Sequence, residues 1–170
     1  MIMKAKLIVE GKEFPIEIQD PKLQELLKPK KKTGYERVDS QNTYYCAVPE
    51  GGIAHMYDVR DFADEECYDA ANYYSDKTVA ENNTRADKLM RQLRRFAVEH
   101  GDNKLDWNNA NQRKYFIDYN NSNDELGAAY SVMHNYFGVI YFDTEKAAKL
   151  AIETFHDELI WYFTEYKDSL

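Results

Sequence analysis

An α+β fold is predicted by three features of the chain: a tyrosine-rich strand series that occurs twice, a capped amphipathic helix after each occurrence, and a short alternating hairpin pattern near the start. The first series opens Thr43-Tyr44-Tyr45-Cys46-Ala47-Val48, passes Asn72-Tyr73-Tyr74-Ser75-Asp76 and ends in a helix closing Leu93-Arg94-Arg95-Phe96. The second opens Lys114-Tyr115-Phe116-Ile117-Asp118-Tyr119, passes Val139-Ile140-Tyr141-Phe142-Asp143-Thr144 and ends in a helix closing Ile160-Trp161-Tyr162-Phe163. The predicted architecture is two pseudo-repeated strand-strand-strand-helix units, 43–101 and 114–166, in an acidic body over 43–170. They are expected to share one core, because neither buries its apolar face alone. A small ββα lobe over 1–28 and a basic linker over 29–42 precede them.

Along the chain, Ala5, Leu7 and Val9 alternate with polar residues, as do Phe14, Ile16 and Ile18, which marks a hairpin around Glu10-Gly11-Lys12-Glu13. Asp20-Pro21 reads as a cap followed by a proline at the first helical position, opening a short helix that Pro29 stops. The lysine-rich stretch 28–34 reads as linker. Strands are predicted at 43–48 and 53–59 around Pro49-Glu50-Gly51-Gly52, and a short one at 71–74. Residues 58–69 read as loop or one helical turn. Ser75 or Asp76 caps a helix with Val79, Ala86, Leu89, Met90, Leu93, Phe96 and Ala97 on one stripe, stopping at His100-Gly101. Further strands are predicted at 115–119, 126–133 and 138–142, and Asp143 is expected to cap a long last helix. Meandering antiparallel sheet with two long helices packed across it follows from this order.

A chain of 170 residues buries roughly 70% of its unfolded surface, enough for a self-sufficient core. The net charge of −8 is unevenly shared: residues 1–33 carry eight lysines against five acids, a balance of +3, which leaves −11 to residues 34–170. Such a field disfavours direct nucleic-acid binding and attracts basic partners. No apolar run reaches membrane-spanning length, and the start lacks a signal-peptide pattern, so a cytoplasmic protein is expected. Two cysteines, Cys46 and Cys67, indicate no disulfide framework.

Catalytic signatures are missing: there is no phosphate-binding glycine loop, no His-Glu-x-x-His, no Gly-x-Ser-x-Gly and no Cys-x-x-Cys. No catalytic residue, metal or cofactor is expected, since a Cys46, His55 and Cys67 grouping would need an improbable register. The candidate contact residues lie elsewhere. Asp58, Asp61, Asp64, Glu65, Glu66 and Asp69 form an acidic run that either imitates phosphate spacing for a basic groove or is simply solvated. In Tyr44-Tyr45 and Tyr73-Tyr74 strand alternation sends one ring of each pair inward, leaving Tyr45 and Tyr73 as contact candidates. Trp107 with Asn111 and Gln112 suits a turn or a ligand grip. Arg85, Lys88, Arg91 and Arg95 make a basic face on the first long helix, either for phosphate or as an exposed face complementing the helix terminus.

The stretch Leu105-Asp106-Trp107-Asn108-Asn109-Ala110-Asn111-Gln112-Arg113-Lys114-Tyr115-Phe116-Ile117-Asp118-Tyr119, followed by Gly138-Val139-Ile140-Tyr141-Phe142-Asp143-Thr144-Glu145, resembles a family of uncharacterised phage and prophage proteins of Gram-positive bacteria. Lys32-Thr33-Gly34-Tyr35-Glu36-Arg37-Val38 is similar to an upstream segment of the same family, with one intervening residue missing. The resemblance spans about residues 30–170 and carries no assigned chemistry. It implies a phage accessory protein, and such proteins often antagonise host defence, anti-CRISPR proteins among them. The expected function is therefore a non-enzymatic inhibitor of a host defence system. It would bind a nucleic-acid-binding effector, a CRISPR effector being the best single candidate, through an acidic, tyrosine-rich surface. Alternatives are a protein that sequesters a nucleotide signal in a pocket between the repeats, using the basic face and the Trp107 loop, and a structural or accessory phage component.

Overall fold

The structure, a computed structural model, describes residues 2–27, 32–101 and 104–166. The fold is α+β, with antiparallel two-stranded sheets and helices, and the chain divides into two units, Met1–Thr33 and Gly34–Leu170. In the first unit, β1 (Met3–Val9) pairs with β2 (Lys12–Ile18) through a two-residue turn at Glu10 and Gly11. Both turn residues have positive φ (49° and 77°), the geometry that matches strand twist. Ala5 faces Ile16 and Leu7 faces Phe14, as the alternation predicts. Asp20 accepts from the Lys22 N–H at 2.8 Å and starts α1 (Pro21–Leu27). The expected stop at Pro29 and lysines 28–31 lie outside the described residues.

The second unit starts earlier than the linker reading placed it. Gly34 is buried at φ +88°, and its carbonyl accepts from Ser75 N–H at 2.8 Å. A Cβ there would meet Val79 Cγ2 at 2.7 Å, so only glycine fits both the backbone angle and the space. Residues 34–42 thus belong to the body.

Two hairpins organise that body. Strand β3 (Thr43–Ala47) pairs with β4 (Ile53–Tyr57), and β5 (Lys114–Asn120) pairs with β6 (Glu125–Ser131). On the free side of β3 one bridge joins Tyr45 to Tyr74, and on the free side of β5 one bridge joins Tyr115 to Phe142. A helix cap stands two residues after each bridge, so the order hairpin, bridge, helix occurs in both halves. The predicted strands 71–74 and 138–142 shrink to these single bridges for distinct reasons. Asn72 pairs with β3 through its side chain, Oδ1 accepting from Ala47 N–H (2.7 Å) and Nδ2 donating to Ala47 C=O (3.1 Å). Before Phe142 no further main-chain bond to β5 forms among the described residues, and Gly138 has a φ of +76°.

Residues 58–69, expected as loop or one turn, include a full helix, α2 (Phe62–Asp69). Its signal was Asp61-x-x-Asp64, a capping box in which each side chain accepts the other residue's N–H. Helix α3 (Lys77–Glu99) is capped by Asp76, which accepts from Val79 N–H at 3.0 Å, and it buries Ala80, Thr84, Ala86, Leu89, Leu93 and Phe96. The last helix is capped by Thr144 rather than Asp143, and it is broken into α4 (Glu145–Thr154), α5 (His156–Trp161) and a π-helical turn (Tyr162–Tyr166). Thr154 donates to Leu150 C=O (2.7 Å) and Thr164 to Ile160 C=O (2.8 Å), back-bonds that bend helices where they occur.

The larger buried cluster draws on both halves, and a smaller one lies apart from it. Leu89, Leu93 and Phe96 of α3 join Phe142, Ala147, Ala148, Ala151 and Leu159, while Tyr44, Cys46 and Tyr73 gather separately under the first hairpin. Helix α3 packs against β3, β4 and α4, tying the halves together. Phe142, 1% exposed, both bridges β5 and fills the larger cluster. Phe142→Ala is expected to cost about 3–5 kcal/mol, read as a lower urea midpoint with an unchanged slope.

Candidate functional site

Burial splits the acidic run in two. Asp58 is 0% exposed and Asp64 3% exposed, although both were candidates for partner contact. Asp58 sits just past the end of β4, held by main-chain bonds that join its N–H to Asn42 C=O and its C=O to Gln41 N–H. Its carboxylate accepts from Arg37 Nε (3.0 Å), Tyr73 Oη (2.8 Å) and Arg60 N–H (3.0 Å), and Arg60 Nη1 stands 3.2 Å away. Burial by itself would raise the pKa of this carboxyl, but the bonds from Arg37, Tyr73 and Arg60 outweigh it and hold the pKa at about 2. Glu65 accepts from Arg37 Nη1 at 2.6 Å, so one guanidinium joins the 34–42 segment to both Asp58 and α2.

Asp64 performs the matching task one turn on. Its carboxylate accepts from Tyr44 Oη (2.9 Å), Val59 N–H (2.8 Å) and Asp61 N–H (3.2 Å). The Tyr44 and Tyr73 rings stack at 4.0 Å, each with its hydroxyl on one buried carboxylate. Burial first, then the bond to Asp58, pushes the Tyr73 phenol up to about 12, which keeps it a donor. Tyr44 is raised by the same two kinds of cause, burial and its bond to Asp64. Two corrections follow. Asp58 and Asp64 are spent inside the fold, and Tyr73 is buried together with Tyr74, because residues 71–74 are not a strand with alternating faces. Tyr45 is half-buried beside buried Tyr44, the alternation expected of β3.

What remains outside is a mixed face. Asp61, Glu65, Glu66 and Asp69 are exposed, although Asp61 is committed to its cap and Glu65 to Arg37. Beside them in sequence Tyr57 (65%), Phe62 (75%), Met56 and Val59 stand open to solvent. Strand β4 also presents an edge, since its only ladder among the described residues is with β3. Exposed apolar side chains close in sequence to exposed acids and to an unpaired edge are of the kinds that proteins use for contact, with Met56 and Tyr57 on opposite faces of β4. Sequence reading missed Arg37, which lay in the assigned linker, and the apolar members of this face, whose exposure no periodicity revealed.

The other candidates are more structural. Arg85 makes two bonds to Glu158 (2.8 and 3.1 Å) and lies 3.8 Å over the Trp161 ring, while Arg95 approaches Glu99 at 3.7 Å. Lys88 and Arg91 are exposed and have no ion pair among the described residues. Trp107 is half-buried, with Tyr141 edge-on at 4.9 Å and the Lys114 ammonium 5.3 Å from its ring. That ammonium is buried and donates to Asn109 C=O and Val132 C=O, both at 2.8 Å. Gln112 closes the same loop by bonding Asp106 N–H (2.6 Å) and Lys104 C=O (3.1 Å), while Asn111 stays exposed. The loop is therefore folded around Lys114. Register pairs Cys46 with Ala54, which turns His55 to the opposite face, and no group of three or more His, Cys, Asp or Glu among the described residues is placed to hold a metal. No described helix is long and apolar enough to cross a membrane.

Asp58→Ala is expected to lower stability by about 3 kcal/mol, because it strands buried donors. A carboxyl depressed from 3.8 to about 2 contributes its stabilisation fully above pH 3.8 and loses it as pH falls through 2. Urea midpoints of the wild type should therefore fall between about pH 4 and pH 2, and the Asp58→Ala midpoint should fall less over that window.

No family model, curated protein or solved structure matches this chain.

Proposed function

We propose that the protein is a non-enzymatic inhibitor that acts by protein contact in the cytoplasm, with the exposed acidic and apolar face of β4 and α2 as its contact surface. The observation that carries this reading is the pairing of Tyr57 and Phe62, both largely exposed, with the exposed carboxylates Glu66 and Asp69 on a helix that Asp58 and Asp64 hold in place. The balance of −11 over residues 34–170 favours a basic partner, whose approach it would accelerate at low salt. A nucleic-acid-binding effector has such a surface. The resemblance of residues 30–170 to phage accessory proteins supports a host defence effector as the target, with a CRISPR nuclease as the first to test. Arg85 is engaged by Glu158 and the Trp161 ring, which weakens the competing idea of a phosphate-binding face on α3.

Glu66 and Asp69 are the acids to reverse, because Asp61, Asp64 and Glu65 support the fold itself. The triple variant Phe62→Ala, Glu66→Lys, Asp69→Lys is expected to keep the wild-type circular dichroism and melting temperature and to lose at least roughly a hundredfold in affinity for the effector captured from a bacterial host. Undiminished capture by the folded triple variant would overturn the assignment of this face.

A further inference from the structure

A second site lies in the other half of the body, independent of the acidic face. Where the segment after Gly138 parts from β5, a cavity of about 450 Å³ opens between Ile117–Tyr119 on one side and Gly138–Ile140 on the other. That volume falls within the range of about 300–1,000 Å³ typical of ligand pockets. Its floor is the larger core: Leu89, Leu93, Phe142 and Leu159 are all at most 5% exposed. The π-helical turn contributes Tyr162 and Phe163 as a wall, and such turns often mark functional positions. No lysine, arginine or histidine lines the cavity, so it offers nothing to a phosphate.

Asp118, Asn121, Tyr119 and Tyr162 are the polar residues of its lining, and the main chain of β5 adds further polar groups. Tyr115 turns its N–H and C=O to Phe142, at 2.8 and 2.7 Å. Strand groups alternate sides with a period of two, so Ile117 and Tyr119 turn theirs the same way, toward the cavity, while their neighbours bond β6. Among the described residues no backbone group receives them, because the segment that would have continued the ladder from Phe142 has moved off. Unpaired donors and acceptors beside an apolar floor represent an unmet demand that water meets only poorly. The matching chemistry is alternating N–H and C=O on an extended chain with apolar side chains.

We propose that this cavity binds an uncharged, apolar peptide segment in extended conformation, added as a strand to the free edge of β5 between Ile117 and Tyr119. Main-chain bonds supply the affinity and the apolar floor selects the side chain that points inward. The stretch Ile117–Tyr119 spans about 7 Å at the rise of a strand, which accommodates two to three peptide residues.

The probe is the blocked dipeptide N-acetyl-Leu-Phe-amide, titrated into isotope-labelled full-length protein and followed by amide chemical shifts. Saturable shifts are expected at Ile117, Tyr119, Gly138 and Val139. Two further probes carry a methyl on either the leucine or the phenylalanine nitrogen. Because successive nitrogens of a strand point to opposite sides, one methylated probe should bind like the parent and the other should lose roughly tenfold or more in affinity. Val139→Trp, which fills the cavity from a half-buried loop position, should abolish the shifts. Shifts absent at millimolar probe, equal affinity of the two methylated probes, or unchanged binding by Val139→Trp would each overturn the proposal.

Discussion

The buried carboxylate of Asp58 is the constraint on which the acidic half of the body depends. A charge at 0% exposure is tolerated only when its lone pairs are filled, and here donors arrive from three places in the sequence, Arg37, Arg60 and Tyr73, while the main chain of residue 58 donates to Asn42 C=O and accepts from Gln41 N–H. Each donor belongs to a different segment. Satisfying one carboxylate therefore fixes the incoming chain at 34–42, the exit of β4, the approach to α2 and the loop before α3 simultaneously. Asp64 repeats the arrangement on α2 with Tyr44, and the stacked Tyr44 and Tyr73 rings join the two anchors into one block.

That block explains how an acidic surface can be both fixed and available. Had all six acids of 58–69 pointed outward, their mutual repulsion would have opposed a helix there. Turning Asp58 and Asp64 inward converts two of them into scaffold, and Arg37 offsets the charge of Glu65. The helix so formed displays Phe62, Glu66 and Asp69 on a backbone whose position is set by buried bonds. Contact surfaces bind more tightly when little ordering remains to be done on association. The second half of the body is organised differently: its interior is apolar, and its incomplete third strand leaves main-chain groups at the cavity rather than charged groups at a surface.

The sequence was most informative where a periodic stripe or a cap dictates the outcome. The hairpins, α3 with its cap at Asp76 and the inward turn of Tyr44 follow directly from alternation, helical spacing and capping chemistry. It was least informative where a side chain takes over a backbone role. Asn72 pairs with Ala47 in place of a strand, Asp64 closes a capping box inside what looked like a solvated charge run, and Thr154 bends a helix whose apolar pattern is unbroken. The partner of Asn72 lies 25 residues away and leaves no local sign, while the local cap and back-bond are masked by the charge run and the apolar stripe around them. The site suffered most from the same ambiguity, because an aspartate that will be buried by Arg37, 21 residues away, is indistinguishable in sequence from its exposed neighbours. Only the geometry separates the buried acids from the exposed ones.

A double-mutant cycle between Tyr73→Phe and Asp58→Asn, read by urea denaturation at pH 7, tests the role of the buried carboxylate most directly. A hydrogen bond from a buried phenol to a desolvated charge predicts a coupling of about 1.5 kcal/mol. Coupling within about 0.3 kcal/mol of zero, the behaviour of independent sites, would contradict it.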